Sequence, residues 1–216
     1  MIGSQWEMKE SDLAQIFIDY FDGYEIFKEV PTYNGIVDFV AVQKPILIAV
    51  EVKLAFNLRV IEQAYLNIYT SNYSYVAVPA YKNGSFKERI CLDFGVGVLR
   101  YTDHGWTSKY KIEEVVFPRL NRQIIKPELK EYMKLSVAGS QNKRVTKFGN
   151  TANNLREYVK INPGVSLGEA IKNIEWHYHN ISSAKSNLYQ WLYKGIIKGV
   201  RYEKGKLFPV SEQKEN

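Results

Sequence analysis

The chain predicts an α/β fold in two parts, a sheet-centred first half and a smaller, mostly helical second half that closes in a hairpin. Three observations carry this. Apolar runs of strand length at 24–30, 35–42, 45–53 and 73–79 are interleaved with segments whose apolar residues recur at helical spacing. After residue 150 the pattern changes to three helical stretches followed by two short strands. Charge divides as well: residues 1–118 hold 11 Lys/Arg against 15 Asp/Glu, a balance of −4, whereas residues 119–216 hold 18 against 8, a balance of +10. Such a division suits a cation-binding domain joined to a polyanion-binding one.

The elements follow in order. Ser4 and Glu7 fit a capping box that opens a helix through about residue 21, with Leu13, Ile16, Phe17, Tyr20 and Phe21 as its apolar stripe. Residues 24–30 form a strand, and 35–42 and 45–53 two more, which a turn at Gln43-Lys44-Pro45 lets pair antiparallel. Asn57 caps a helix to about residue 71, with Leu58, Ile61, Tyr65 and Ile68 on one face. Strand 73–79 is expected near the middle of the sheet. A short helix at 82–89 and a strand at 94–101 complete the first domain, residues 1–120. A helical stretch at 127–134 and a basic run at 137–147 make 121–148 a linker. In the second domain, 149–211, helices are expected at 153–160, 166–174 (Ser166-Leu-Gly-Glu169 as a capping box) and 182–194 (capped by Ser182 or Ser183). A hairpin turns at Glu203-Lys-Gly205.

Chemistry concentrates at Asp38 and, after twelve intervening residues, Glu51-Val52-Lys53. Period-two alternation turns Glu51 and Lys53 to one face of a strand that is otherwise continuously apolar, so both charges lose hydration. If the hairpin pairs as expected, two acids and a lysine converge on one patch of sheet. Carboxylate oxygens suit a hard divalent cation, and an ammonium beside them orients a water or stabilises charge on a phosphate. The competing structural reading is a cross-strand ion pair guarding a sheet edge.

Val37-Asp38, the spacer and Glu51-Val52-Lys53 resemble the PD-(D/E)xK nuclease superfamily, with Val37 where the motif has proline. The order helix, three strands, helix, strand is similar to the αβββαβ restriction-endonuclease-like core of that superfamily, built on a mixed central sheet. The resemblance covers roughly the first half of the chain. It implies that Asp38, Glu51 and the carbonyl of Val52 hold Mg²⁺ or Mn²⁺, and that Lys53 positions the attacking water. A glutamate from the first helix often joins them; Glu10 and Glu7 compete, and the core-facing stripe favours Glu10. Gln63 resembles a glutamine that some subfamilies carry on the next helix, while Asn67 stands four residues on, where those subfamilies have tyrosine.

Three short helices and a basic hairpin resemble a winged-helix domain. That resemblance implies DNA contacts from the third helix through Lys185, Asn187, Tyr189, Gln190 and Lys194, and from the hairpin through Arg201, Lys204 and Lys206. The function expected is therefore a metal-dependent deoxyribonuclease, and two coordinated strand cuts call for a homodimer. A DNA-binding regulator or adaptor with a lapsed nuclease site, and an RNA nuclease, are the rival readings.

Other classes fall away. No glycine loop for a nucleotide or organic cofactor is present, since Gly95-Val-Gly97 sits inside a strand pattern. One cysteine, Cys91, excludes a disulfide framework and reads as a buried small residue. His177 and His179 lack the companions of a zinc site and are expected to pack the turn between helices. No signal-peptide pattern or membrane-length apolar run is seen, so the cytoplasm is the expected compartment.

Overall fold

The computed structural model describes residues 8–82, 84–103, 110–140 and 145–210. The chain divides into two compact units, Met1–Arg144 and Val145–Asn216. The first is a mixed α/β unit on a six-stranded sheet of order β1-β2-β3-β4-β5-β6: Glu25–Thr32, Gly35–Gln43, Ile46–Val52, Tyr73–Pro79, Gly97–Asp103 and Tyr110–Val116. Two-residue turns join β1 to β2 and β2 to β3, so both pairs are antiparallel. Parallel pairing of β3 with β4 and β4 with β5 requires crossovers, which α2 (Leu58–Asn67) and α3 (Phe86–Phe94) supply.

Alternation along the strands makes two cores. Phe39, Ala41, Ile48, Val50, Val52, Ala77 and Leu99 meet Leu13 and Phe17 of α1 (Glu10–Tyr20). On the other face Val76, Val78 and Val98 meet Val60, Ile61 and Ala64 of α2 and Cys91 of α3, which is fully buried. The central strands thus read apolar on both faces. Only at Asp38 and Glu51 does a charge interrupt β2 and β3 inside the buried run.

Several expected boundaries shift. The described part of the first helix starts at Glu10, after non-helical Met8 and Lys9, and the Lys9 amide donates to Asp12 at 3.3 Å; Ser4 and Glu7 lie outside the described residues. α2 stops at Asn67 because the hydroxyls of Thr70 and Ser71 take its carbonyl, at 3.1 and 2.7 Å. Its buried stripe is Val60, Ile61, Ala64 and Asn67, and Leu58 is exposed. Asn57 caps it as expected, accepting from the Val60 amide at 3.1 Å. α3 runs to Phe94, where a strand was expected to begin, since Gly95 takes a left-handed C-cap with φ +75°. Strand β6 was not expected: Lys111, Glu113 and Glu114 hide it, but as an edge strand it keeps those charges by pairing Glu113 with Arg100 and Glu114 with Tyr75.

The segment expected as a linker belongs largely to the first unit. Asn121 and Ile125 amides bond to the carbonyls of Asn72 and Tyr69, Met133 is buried against β1–β3, and Ala138 is buried beside α1. Where a helix was expected at 127–134, the described residues make a 3₁₀ turn, Glu131–Leu135. The first unit consequently holds 18 Lys/Arg against 17 Asp/Glu and the second 11 against 6, so half of the basic excess seen after residue 118 stays with the first unit.

The second unit runs α4 (Lys147–Ile161), β7 (Val165–Ser166), α5 (Leu167–Asn173), α6 (Ile181–Tyr193), β8 (Val200–Glu203), β9 (Lys206–Pro209), with an antiparallel sheet of order β7-β9-β8. Leu155, Ile171, Leu188 and Leu207 lie at its core. α4 starts six residues before the expected position, capped by Thr146 at Gly149. Ser166 caps α5, while α6 is capped by Asn180 rather than by a serine. The turn at Lys204-Gly205 has both φ positive, +47° and +82°, as a two-residue hairpin of matching twist requires. At the turn between α5 and α6 the Trp176 indole donates to the Ile171 carbonyl at 2.9 Å and His177 Nδ1 lies 2.7 Å from the Thr151 hydroxyl, but His177 and His179 are both exposed and so pack the turn less than expected. No helix among the described residues is long and apolar enough to cross a membrane.

Phe17 is fully buried where α1 meets the sheet. Phe17→Ala should destabilise the protein by about 3–5 kcal/mol in urea denaturation, through lost burial and the cavity left behind.

Candidate active site

The hairpin registers set the site. Phe39 pairs with Val50, and one step on Asp38 stands opposite Glu51; between the pairs Lys28–Phe39 and Val30–Val37, Glu29 stands opposite Asp38. Three carboxylates therefore lie in a row across β1, β2 and β3, all buried, with Glu51 only 2% exposed. Lys53, one residue past β3, is held at the sheet end by its own amide, which donates to the Ala77 carbonyl at 3.1 Å.

Each charge has a defined partner. The Val52 amide donates to Asp38 Oδ2 at 2.8 Å. In an extended strand a residue's N–H and C=O share a side, so the Val52 carbonyl also faces β2, beyond the last β2–β3 pair. Lys53 Nζ lies 3.4 Å from Asp38 Oδ2 and forms a salt bridge with Glu10 at the start of α1. Asn67 Nδ2 donates to Glu51 Oε1 at 2.7 Å, a fully buried contact that leaves Oε2 for another partner. Glu29 Oε1 accepts from the Ser140 amide at 3.4 Å.

These groups border a cleft of about 640 Å³ that is also lined by Arg59, Gln63, Gly139 and Ser140. Gln63 Oε1 is buried there without a hydrogen-bond partner. Gly139, at φ +68°, lets its segment pass close to the Glu10 backbone, where a Cβ would come within 3.2 Å. The electrostatics follow from burial. Glu51 is pushed up to about 8, first by desolvation and then by the Asp38 charge, against the lowering effect of Asn67. Asp38 is raised, chiefly by desolvation, against the pull of Lys53 and the Val52 amide. Burial lowers Lys53, but Asp38 and Glu10 together outweigh it, so the lysine is raised and stays an ammonium.

Asp38, Glu51, Lys53, Glu10 and Gln63 are thus brought to one cleft, while Val52 is buried behind it and touches the group through its amide hydrogen bond to Asp38. Two neighbours were not anticipated. Glu29 was legible in principle, because the turn at residues 33–34 fixes it opposite Asp38. Its φ of +52° is a conformation that side chains other than glycine avoid. Asn67 occupies the position where a tyrosine was sought and instead holds Glu51.

In the second unit Lys185, Asn187, Tyr189 and Gln190 are exposed on α6 and Lys194 is exposed at its C-cap, and Arg201, Lys204 and Lys206 are exposed on the hairpin. They do not form one face. Lys185 and Tyr189 join Ser182, Ser186, Tyr202 and Gly205 around a groove of about 460 Å³, whereas Asn187, Gln190 and Lys194 sit on the neighbouring helix face. Asn187 spends a donor on the Ser183 carbonyl at 2.8 Å, and Arg201 stands 3.4 Å from Glu203.

Stability should report the buried acids. Unfolded Glu51 releases its proton near the ordinary glutamate value of 4.5, and folded Glu51 only at about 8, so in that window the native state holds more protons than the unfolded state. Stability of chelator-treated protein must then fall as pH rises from about 5 to about 8, by on the order of a few kcal/mol. Thermal melts of Glu51→Gln, which keeps the Asn67 contact, should show a shallower decline and a higher Tm than wild type at pH 8.

The chain matches no protein-family model, no curated protein and no solved structure.

Proposed function

We propose that the chain is a Mg²⁺- or Mn²⁺-dependent deoxyribonuclease with a restriction-endonuclease-like catalytic domain of the PD-(D/E)xK kind and a winged-helix DNA-binding domain. The observation that carries this reading is the convergence of Asp38, Glu51 and Lys53 from adjacent strands into one cleft, joined by Glu10 from the preceding helix. The order α1-β1-β2-β3-α2-β4 supports the catalytic fold, and α4-β7-α5-α6-β8-β9 around a three-stranded sheet supports the winged helix.

The donors fit a hard cation. All are oxygens: Asp38, the free side of Glu51, the Val52 carbonyl, and Gln63 Oε1, which has no partner otherwise. Among the described residues no three His, Cys, Asp or Glu side chains form a cage by themselves. The shell would therefore draw on the carbonyl and amide oxygens, and on waters, as Mg²⁺ commonly does. When bound, such an ion supplies Lewis acidity and a water of lowered pKa.

The chain's own residues divide the remaining work. Asn67 fixes the rotamer of Glu51, and the Val52 amide fixes Asp38, so both carboxylates are set before substrate arrives. Lys53 presents ammonium donors toward the scissile phosphate and the attacking water, and Glu10 keeps it charged and aimed. The exposed cations on α6 and the β8–β9 hairpin hold phosphates of the same polymer.

Purified protein should nick or cut supercoiled, linear, single-stranded or branched DNA with Mg²⁺ or Mn²⁺ and do nothing in chelator. Glu51→Ala should abolish cleavage at unchanged DNA affinity, and Lys53→Ala should slow it by about 100-fold or more. Full activity in Glu51→Ala would sink the assignment, and binding without any cleavage by wild type would favour an adaptor.

Affinity should fall steeply with salt, with a slope near −0.9 per phosphate contact. Replacing Lys204 and Lys206 with alanine should flatten that slope by up to about two units in a filter-binding titration.

A further inference from the structure

Where α2 and α3 end, the first unit carries a groove of about 330 Å³ lined by Ile68, Tyr69, Phe94, Arg119, Asn121 and Gln123, among others, none of them acidic. Tyr69 is 42% and Phe94 50% exposed. Between them stands Tyr65, its ring 4.9 Å from Phe94 and 6.1 Å from Tyr69, with the two tyrosine hydroxyls 3.3 Å apart. The wall is firmly tied: Arg119 and Ile125 amides donate to the Gly95 and Tyr69 carbonyls, both at 2.9 Å, and the Asn121 amide donates to Asn72 at 2.8 Å.

That wall is also basic. Residues 117–127 contain Arg119, Arg122 and Lys126 and no acid, within a unit whose overall balance is +1. The aromatic surface continues toward the catalytic cleft. At the β1–β2 turn Tyr33 is 60% exposed on a tip pinned by Asn34, whose side chain donates to the Leu66 carbonyl of α2 at 3.0 Å. The Tyr69 phenol is raised first by its bond to Tyr65 and last by the nearness of Tyr33. Ile36, on the same hairpin and 43% exposed, lines the cleft itself.

We infer that this strip, Tyr33, Tyr69 and Phe94 with Arg119 and Arg122, binds an unpaired DNA strand, so that the substrate class is DNA with a single-stranded portion beside the cut. The inference rests on the nuclease reading for the identity of the polymer. In a duplex the bases stack on each other and offer only their edges, so exposed rings find no partner; an unpaired strand offers π-faces for the rings and phosphates for the arginines. A charge-only track would suffice for duplex, and a purely apolar one would suit a protein. Rings and cations around a groove with no acid in its lining fit a single strand, although Glu62 borders Phe94 on its other side; the hairpin that carries Tyr33 also lines the cleft through Ile36.

The test is fluorescence anisotropy of the full chain, in chelator, with a labelled oligothymidylate of about 15 nucleotides and with a blunt duplex of equal length. Tyr69→Ala and Phe94→Ala, both surface changes checked for unaltered circular dichroism, should each weaken oligothymidylate binding about tenfold and leave duplex binding unchanged. Arg119→Ala should flatten the salt slope on the single strand by about one unit. Unchanged oligothymidylate affinity in both ring variants, or equal losses on duplex, overturns the inference. So does sedimentation showing that Phe94→Ala converts a wild-type dimer to monomer, which would make the strip a face between two copies. Failure of the nuclease reading shows separately, as no cleavage of any DNA with Mg²⁺ or Mn²⁺, because the anisotropy measurement needs no cleavage.

Discussion

The first unit depends on keeping buried carboxylates inside an apolar sheet. Asp38 and Glu51 interrupt strands whose other central residues are nearly all apolar and buried, and their desolvation costs more than any surface ion pair returns. What makes the arrangement tenable is a set of short, fixed contacts: the Val52 amide and Lys53 for Asp38, Asn67 for Glu51. Those contacts in turn constrain distant elements. α2 must end so that Asn67 reaches β3, which is why Thr70 and Ser71 terminate it there, and α1 must begin where Glu10 meets Lys53.

A purely structural ion pair would not need this much support. Breaking a buried pair is costly, but replacing one with apolar residues is often neutral or stabilising, so charges persist in such a place for reasons other than stability. Glu51 has no cation within its own hydrogen bonds, and its second oxygen is left to the cleft. Glu29 adds a left-handed backbone conformation that costs about 1–2 kcal/mol and places a further acid beside Asp38. Strain of this kind survives where surrounding packing over-determines it, and it concentrates at sites that act on something.

The candidate triplet of Asp38, Glu51 and Lys53 was legible because its signal is local: an acid and a lysine two apart in an apolar run need only strand periodicity to be placed on one face. The turns at residues 33–34 and 44–45 then convert sequence distance into register, and register alone would have found Glu29. Asn67 was hidden for a different reason. An asparagine near a helix end reads as a cap or a turn residue, and only the tertiary contact to Glu51 gives it another role. β6 was hidden by Lys111, Glu113 and Glu114, since strand propensity is overridden when an edge strand pairs its charges with a neighbour. Residues 121–140 read as a linker because they lack periodicity, yet backbone bonds to residues 69 and 72 hold their first part and burial of Met133 and Ala138 holds the rest.

That misreading changes where the positive charge lies. Between residues 119 and 144 the chain carries 7 Lys/Arg against 2 Asp/Glu, and this segment belongs to the first unit, not to a tether. Without it the first unit's sheet domain would be acidic, and a polyanion approaching the cleft would meet four carboxylates against two cations. Arg119, Arg122 and Lys126, in a segment tied by backbone bonds just past the end of α2, set positive charge on the same unit as those carboxylates. Positive charge is therefore built into the unit that holds the candidate site, and is not confined to α6 and its hairpin.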